Sequence, residues 1–363
     1  MAGWQNLNTQ KKVVSKTVPL HEKDALKSFV EEMAAAGLCF INNETETTKT
    51  YKINYVIERP ELTADAIQAL FADSVKPIQL NGNRFTTGKP SVKEKRFACE
   101  ENVMAIVNIA DFHLNRYISG ENGYGVDYNL DIAEEVFKAI IDNAKLRMRR
   151  NGYNVERIVL NTCGDFLNSD TPYHTTTRGT PQNDNKSFKQ ALQKGCDLLE
   201  YAINEFRQIA PVEYYYVAGN HDEVLGYAIT LYLAARFRDF ENVNIDVTPN
   251  KRATLCYGTN VIVLAHGDTE GNRSIFLPFN EPKAKEMLST ATNIEVLTGH
   301  VHNVSVRSDN GVRWEVLATA CPVEDDWSYG QSYSPENCEA TIMYYNNNYR
   351  VQQDTINTKQ FLK

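Results

Sequence analysis

The sequence predicts an α/β protein with a small α+β module ahead of it, and three observations lead there. From residue 103 onward, short continuous apolar runs alternate with long segments of helical periodicity, the texture of buried strands covered by helices. Five of those runs end directly on Asp, His, Asn and Gly residues, which collects chemistry-bearing side chains at the carboxyl ends of strands. Before residue 100 the pattern is looser and reads helix, strand, helix.

Taken in chain order, residues 1–17 are polar and predict a poorly ordered start. Over 20–36 apolar residues fall at helical spacing (Leu26, Phe29, Val30, Met33), and Gly37 is placed to end that helix. A strand is predicted over 51–57 and a second helix over 63–72, opened by Thr63 as its cap. Neither helix is rich in Arg or Lys, which favours a structural or oligomerising role for this module over a winged-helix DNA reader. The charged, polar stretch 86–100 reads as a linker, so residues 1–100 form the accessory part and residues 101–363 the main domain. There, strands are predicted over 103–110, 157–162, 214–218, 261–265, 295–298 and 312–319, and helices over 127–148, 186–209 and 224–240. Residues 339–345 and 349–353 flank Asn346, Asn347 and Asn348 and read as a hairpin.

Composition narrows the function classes. A chain of 363 residues fits one large domain plus an accessory one, and 42% hydrophobic with 23% charged residues is ordinary for a soluble globular protein. No run approaches the roughly 20 apolar residues of a membrane span, and residues 1–12 lack the apolar core of a signal peptide. The seven cysteines (Cys39, Cys99, Cys163, Cys196, Cys256, Cys321, Cys338) are scattered, with no CxxC pair. That pattern points to reduced thiols in a cytoplasm rather than to a disulfide framework or a zinc knuckle. A net charge of −8 argues against coating nucleic acid by bulk charge, though bound cations can supply positive charge locally. Residues 1–100 carry 14 Lys/Arg and 12 Asp/Glu, a net +2, so the remainder carries −10.

The strand ends carry the chemistry. The run over 103–110 leads into Asp111, Phe112 and His113, and that over 157–162 leads into Gly164 and Asp165. The next leads into Gly219, Asn220, His221 and Asp222, followed by His266 after 261–265 and by Gly299, His300, Val301 and His302 after 295–298. Five of the seven histidines belong to this set, and only His21 and His174 fall outside it. Any one fragment is a common loop accident or a satisfied core group. The ordered set of five is specific, because buried structural histidines do not gather at strand ends beside Asp, Asn and Gly. Carboxylate, imidazole and a neutral amide make a borderline donor set suited to Mn²⁺, Fe or Zn²⁺, with no soft thiolate to enforce zinc.

The order, spacing and strand context, from about Val103 to Thr319, resemble the calcineurin-like metallophosphoesterase superfamily. That resemblance implies a two-sheet sandwich flanked by helices (α/β/β/α) with a centre of two divalent metal ions, Mn²⁺ foremost, with Fe or Zn²⁺ as alternatives. Carried over by residue, Asp111, His113 and His302 hold the first metal, Asn220, His266 and His300 the second, and Asp165 bridges them. It further implies a metal-bridging hydroxide as nucleophile. His221 faces the phosphate, as hydrogen-bond donor or as proton donor to the leaving oxygen. Asp222 is expected to position the loop or to pair with a neighbour rather than to take part in the chemistry.

One departure bears on substrate. Three residues past the bridging Asp, many phosphatases of this superfamily place an Asp followed by Arg; here stand Asn168 and Ser169. An Asn there is found in phosphodiesterase-like branches. It leaves open what orients His221, for which Asp170 is the candidate. The polar stretch 171–187 reads either as a substrate lid carrying His174 and Arg178 or as a solvated loop. The stretch 269–286 is a candidate second wall. Over 324–333, Trp327, Tyr329 and Tyr333 are candidates for base stacking, with a packed surface loop the plainer expectation.

Together these features resemble metallophosphoesterases of phage and prophage genomes, described by analogy with repair exonucleases of the SbcD type. The expectation is therefore a phosphodiesterase on nucleic acid or nucleotides (a nuclease), possible homodimerisation, and a cytoplasmic location, that of the host if phage-encoded. The competing expectations are a phosphomonoesterase and a catalytically silent metal-binding scaffold.

Overall fold

A computed structural model describes residues 11–19, 23–24, 27–28, 31, 39–46, 50–58, 101–122, 126–323 and 338–362. The chain divides into two compact units, Met1–Lys93 and Glu94–Lys363. In the first unit, β1 (Lys11–Pro19), β2 (Cys39–Glu46) and β3 (Thr50–Glu58) form an antiparallel sheet in the order β1-β3-β2. The polar start is therefore structured from Lys11: Val13, Val14, Thr17 and Val18 supply β propensity that its lysines mask. Lys23, Asp24, Lys27, Ser28 and Glu31 are helical, as the spacing over 20–36 predicts. The second predicted helix, the linker and the Trp327–Tyr329–Tyr333 group lie outside the described residues.

The second unit is built on two mixed sheets. Its first strands and helices are β4 (Asn102–Asn108), α1 (Leu130–Arg150), β5 (Asn154–Asn161), α2 (Phe188–Phe206), β6 (Val212–Tyr215), α3 (Glu223–Phe237) and β7 (Val243–Asp246). There follow β8 (Ala253–Tyr257), β9 (Asn260–Leu264), α4 (Pro282–Met287), β10 (Asn293–Thr298), β11 (Ser305–Asp309) and β12 (Val312–Val316). The hairpin of β13 (Glu339–Tyr345) and β14 (Arg350–Asn357) closes the unit. One sheet runs β14-β13-β4-β5-β6-β7 and the other β11-β12-β10-β9-β8. The run β4 to β7 is parallel, as are β9, β10 and β12, so their carboxyl ends share one edge.

Strand β4 shows why its sequence is continuously apolar. Val103, Ala105 and Val107 pack outward against α1 and its neighbours, whereas Met104 and Ile106 face Leu255, Ile262 and Leu264 of the other sheet. With both faces buried, alternation disappears. A third cluster (Val261, Val263, Ile275, Leu277, Ala284, Val296) covers the far face of the five-stranded sheet, which completes the helix–sheet–sheet–helix sandwich. The segment expected to be a second wall supplies that cover: Gly271–Phe279 is 3₁₀-helical and α4 follows, burying Ser274, Ile275, Leu277, Pro278 and Ala284.

Helix α3 carries the residues after His221 and starts from a carboxylate. Asp170 accepts from the backbone N–H groups of Val224 (3.0 Å) and Leu225 (2.8 Å) and from the Thr177 hydroxyl (2.7 Å). Asp170 is thus committed to helix capping and to the 171–187 loop, which leaves the orienting of His221 to another group. Replacing it by Ala strands buried donors, so Asp170→Ala should lower unfolding stability by about 1–3 kcal/mol, read as a shifted denaturant midpoint.

Candidate metal centre

The five predicted strand ends converge. Asp111, His113, Asp165, His300 and His302 all adopt left-handed backbone, with φ of 48°, 48°, 50°, 73° and 53°. Such conformations are uncommon for residues other than Gly and Asn, and a cluster of them marks a site where geometry outranks local comfort. The glycines beside them make room. A Cβ on Gly219 would overlap the Asp165 carboxylate and main chain, and one on Gly299 would overlap the Asp111 carboxylate.

The donor atoms form two adjoining groups. In one, His113 Nε2 lies 3.1 Å from His302 Nε2, which is 3.8 Å from Asp111 Oδ1. In the other, His266 Nε2 lies 3.0 Å from Asn220 Oδ1, 3.1 Å from Asp165 Oδ2 and 3.2 Å from His300 Nδ1. Among the described residues, Asp111–His113–His302 and Asp165–His266–His300 each bring ligand atoms close enough together to hold one metal ion. His113, Asp165 and His221 form a third such group, with the His113 and His221 rings 4.7 Å apart. All seven residues expected to hold metal therefore meet at one place, and His221 stands beside them.

Backbone groups fix the carboxylates. Asp111 accepts from His300 N–H at 2.9 Å, and the Thr319 hydroxyl donates to the Asp111 carbonyl at 2.8 Å. Asp165 Oδ1 accepts from His221 N–H at 2.7 Å, while the buried Asp165 Oδ2 has His266 Nε2 beside it at 3.1 Å. A buried carboxylate oxygen facing an imidazole nitrogen and an amide oxygen is what a bridging cation would satisfy. The donor set fits a pair of divalent ions. Asp222 orients the bridge from behind: it accepts from the backbone N–H groups of Asp165 (3.1 Å) and Leu167 (3.0 Å). This is the loop-positioning role expected of it.

The imidazoles differ in protonation. Burial, then the charge of Arg116, pushes His302 down to about 3 and His113 well below its ordinary value. Burial, then His266, also lowers His300. For His266 burial works the same way, but the Asp165 and Asp111 carboxylates outweigh it and carry it up to about 10. His266, wedged between two carboxylates, is thus the imidazole of the centre whose protonated form the surroundings favour. The His266 Nδ1 meets the Cys163 carbonyl at 3.0 Å, which makes Nε2 the metal-facing nitrogen.

His221 is oriented by Asn168, through the backbone rather than the side chain. His221 Nδ1 donates to the Asn168 carbonyl at 2.8 Å. The Asn168 amide donates instead to Asp184 Oδ1 at 2.8 Å, and its Oδ1 lies 3.4 Å from Nε of the buried Arg116. His174 Nδ1 lies 2.8 Å from Asp184 Oδ2. Arg178 is largely exposed and meets Asp268 at 3.4 Å. Sequence reasoning missed Asp184 and Arg116, because both sit in polar segments where nothing in the local pattern separates a buried side chain from a solvated one. The loop over 171–187 is anchored on the site, with Thr177 N–H donating to the Asn220 carbonyl at 3.1 Å.

The chain matches the calcineurin-like phosphoesterase family over residues 104–349, more than half its length, and belongs to that family. It is a metal-dependent phosphoesterase, a hydrolase of phosphate esters. No curated protein matches it. Among solved structures it is similar to a conserved uncharacterized protein of Streptococcus pneumoniae TIGR4 described as a predicted phosphoesterase. That match has 14% identity and a TM-score of 0.31, over 70% of this chain and 90% of the other. Vacuolar Protein Sorting 29 from Cryptosporidium parvum matches at 14% identity with a TM-score of 0.30, over 70% of this chain and 96% of the other. GAP50, the anchor in the inner membrane complex of Plasmodium, matches at 13% identity with a TM-score of 0.33, over 71% and 85%. Likenesses this distant carry no argument about substrate. No described helix is long and apolar enough to cross a membrane.

Metal and proton compete for His266. Loading at neutral pH should therefore release a proton, and affinity should fall as pH drops from 8 to 6, by about tenfold per unit for one proton displaced. Titration calorimetry with Mn²⁺ in two buffers of different ionisation enthalpy checks this. Identical heats in both buffers would contradict it.

Proposed function

We propose that the protein is a phosphodiesterase acting on nucleic acid or nucleotides. The observation that carries this reading is the neutral setting of His221. Its Nδ1 is held by a carbonyl, and the Asn168 side chain is turned away to Asp184. The Asp–Arg pair that phosphatases of this superfamily place here, one partner for the imidazole and one for the phosphate, is replaced by Asn168 and Ser169. A diester carries one negative charge and a monoester close to two at neutral pH. Loss of that arginine therefore weighs more heavily against monoesters.

Asp111, His113 and His302 would hold one divalent ion and Asn220, His266 and His300 the other, with Asp165 between them. When bound, such a pair lowers the pKa of a water toward neutrality and polarises the phosphoryl oxygens. The chain's own residues do the rest. His221, with Nδ1 spent on Asn168, presents Nε2 to a phosphate oxygen. The neutral Asn220 leaves the centre with net positive charge for an anionic ester, and Asp222 keeps Asp165 in register by holding two backbone N–H groups of its loop.

In Mn²⁺, bis(p-nitrophenyl) phosphate should be hydrolysed at least tenfold faster than p-nitrophenyl phosphate, and Asp165→Ala should abolish both activities. Cleavage of a short DNA strand would narrow the reading to a nuclease. A preference for the monoester would overturn it in favour of a phosphatase.

A further inference from the structure

His174 is the one described histidine outside the metal centre, and its ring is tied to a buried carboxylate, that of Asp184. Asp184 has its side chain only 1% exposed, and every hydrogen bond it accepts comes from the segment beside the site. Oδ1 accepts from the Asn168 amide at 2.8 Å; Oδ2 accepts from the Ser169 hydroxyl at 2.5 Å and from His174 Nδ1 at 2.8 Å. A carboxylate at Nδ1 fixes the tautomer and aims the ring, the arrangement by which an orienting acid sets an imidazole for proton transfer. The other nitrogen, Nε2, has no partner among the described residues, and the His174 side chain is 40% exposed.

The backbone is held to match. His174 has φ of 55°, in the left-handed region that residues with a side chain adopt uncommonly. It is kept there by His174 N–H to the Thr171 carbonyl at 3.1 Å and by Gln182 N–H to the His174 carbonyl at 2.7 Å. Two residues tie the segment to the centre. Thr177 N–H donates to the Asn220 carbonyl, and Asn168 orients both histidines, His221 through its carbonyl and His174 through Asp184. A solvated loop needs neither a buried carboxylate nor a histidine held in left-handed backbone. Arg178, by contrast, is 70% exposed with one contact, at 3.4 Å.

We propose that His174 donates a proton to the leaving oxygen of the ester, with Asp184 as its positioning residue, while His221 serves the phosphate. A water oxygen forms a bond to phosphorus and gives up a proton to solvent, while the phosphorus–oxygen bond to the leaving group breaks with its electron pair remaining on that oxygen. The doubly protonated ring passes its Nε2 proton there and regains one from solvent through its exposed edge. The choice of a nucleoside as leaving group rests on the phosphodiesterase reading; the proton-donor role does not.

The test is a leaving-group series with the full chain in Mn²⁺. A thymidine p-nitrophenyl phosphodiester departs without help, whereas a thymidine dinucleotide expels an alkoxide that needs a proton. His174→Ala should lower kcat on the dinucleotide by at least about tenfold and leave the nitrophenyl ester within about twofold. Added imidazole should restore part of the loss, and Asp184→Asn should show the same selective loss in smaller measure. Equal loss on both substrates, or loss on neither, overturns the proposal. If only monoesters are cleaved, the diester reading fails, and p-nitrophenyl phosphate against an alkyl phosphate poses the same question of His174.

Discussion

Two carboxylates buried side by side, Asp111 and Asp165, set the terms for everything around them. Removing such charges from water costs several kcal/mol each unless partners are supplied. Here main-chain N–H groups of His300 and His221 supply part, and the imidazole of His266 supplies more. Burial raises Asp111 to about 7 even so, while His266 and His221 overcome burial and hold Asp165 below the usual carboxylate range. One oxygen, Asp165 Oδ2, meets only the His266 imidazole, at 3.1 Å. The remaining charge is what divalent ions are suited to balance. In this reading binding energy for metal is set aside by the fold itself.

The sandwich is the means of placing that charge. Parallel strands from both sheets end at one edge, so ligands more than 190 positions apart in sequence meet without long side chains. The last step is made by backbone strain and small residues: five ligand positions in left-handed conformation, with Gly219 and Gly299 where any Cβ would strike a carboxylate. Outside that edge, ordinary apolar packing of three clusters holds the layers together.

Legibility followed burial for most strands. Strands β4 and β9 and the carboxyl-terminal parts of β5 and β10 could be read because burial on both faces makes them largely apolar, and the Asp and His residues that follow stood out against that background. Strands β7 and β11 escaped notice since they are short and at most partly buried, so VNID and SVRSD read like loops, and β8 was missed although it is almost wholly buried. The N-terminal strands β1 and β2 were hidden among Lys, Asn and Glu. At the site, residue types were legible but not the atoms that serve. Asn168 acts on His221 through its carbonyl, which every residue has, and Asp170 turned out to cap α3. Asp184 lies 16 positions beyond Asn168, in a polar stretch where no periodicity marks a buried carboxylate.

The most direct test of the central claim is metal stoichiometry. Protein loaded with Mn²⁺ and desalted should carry two ions per chain by elemental analysis, and Asp165→Asn, which keeps the shape but removes the shared charge, should carry fewer than one. Two ions retained by the variant, or none bound by the wild-type chain, would contradict the account of Asp165 as the carboxylate around which the centre is built.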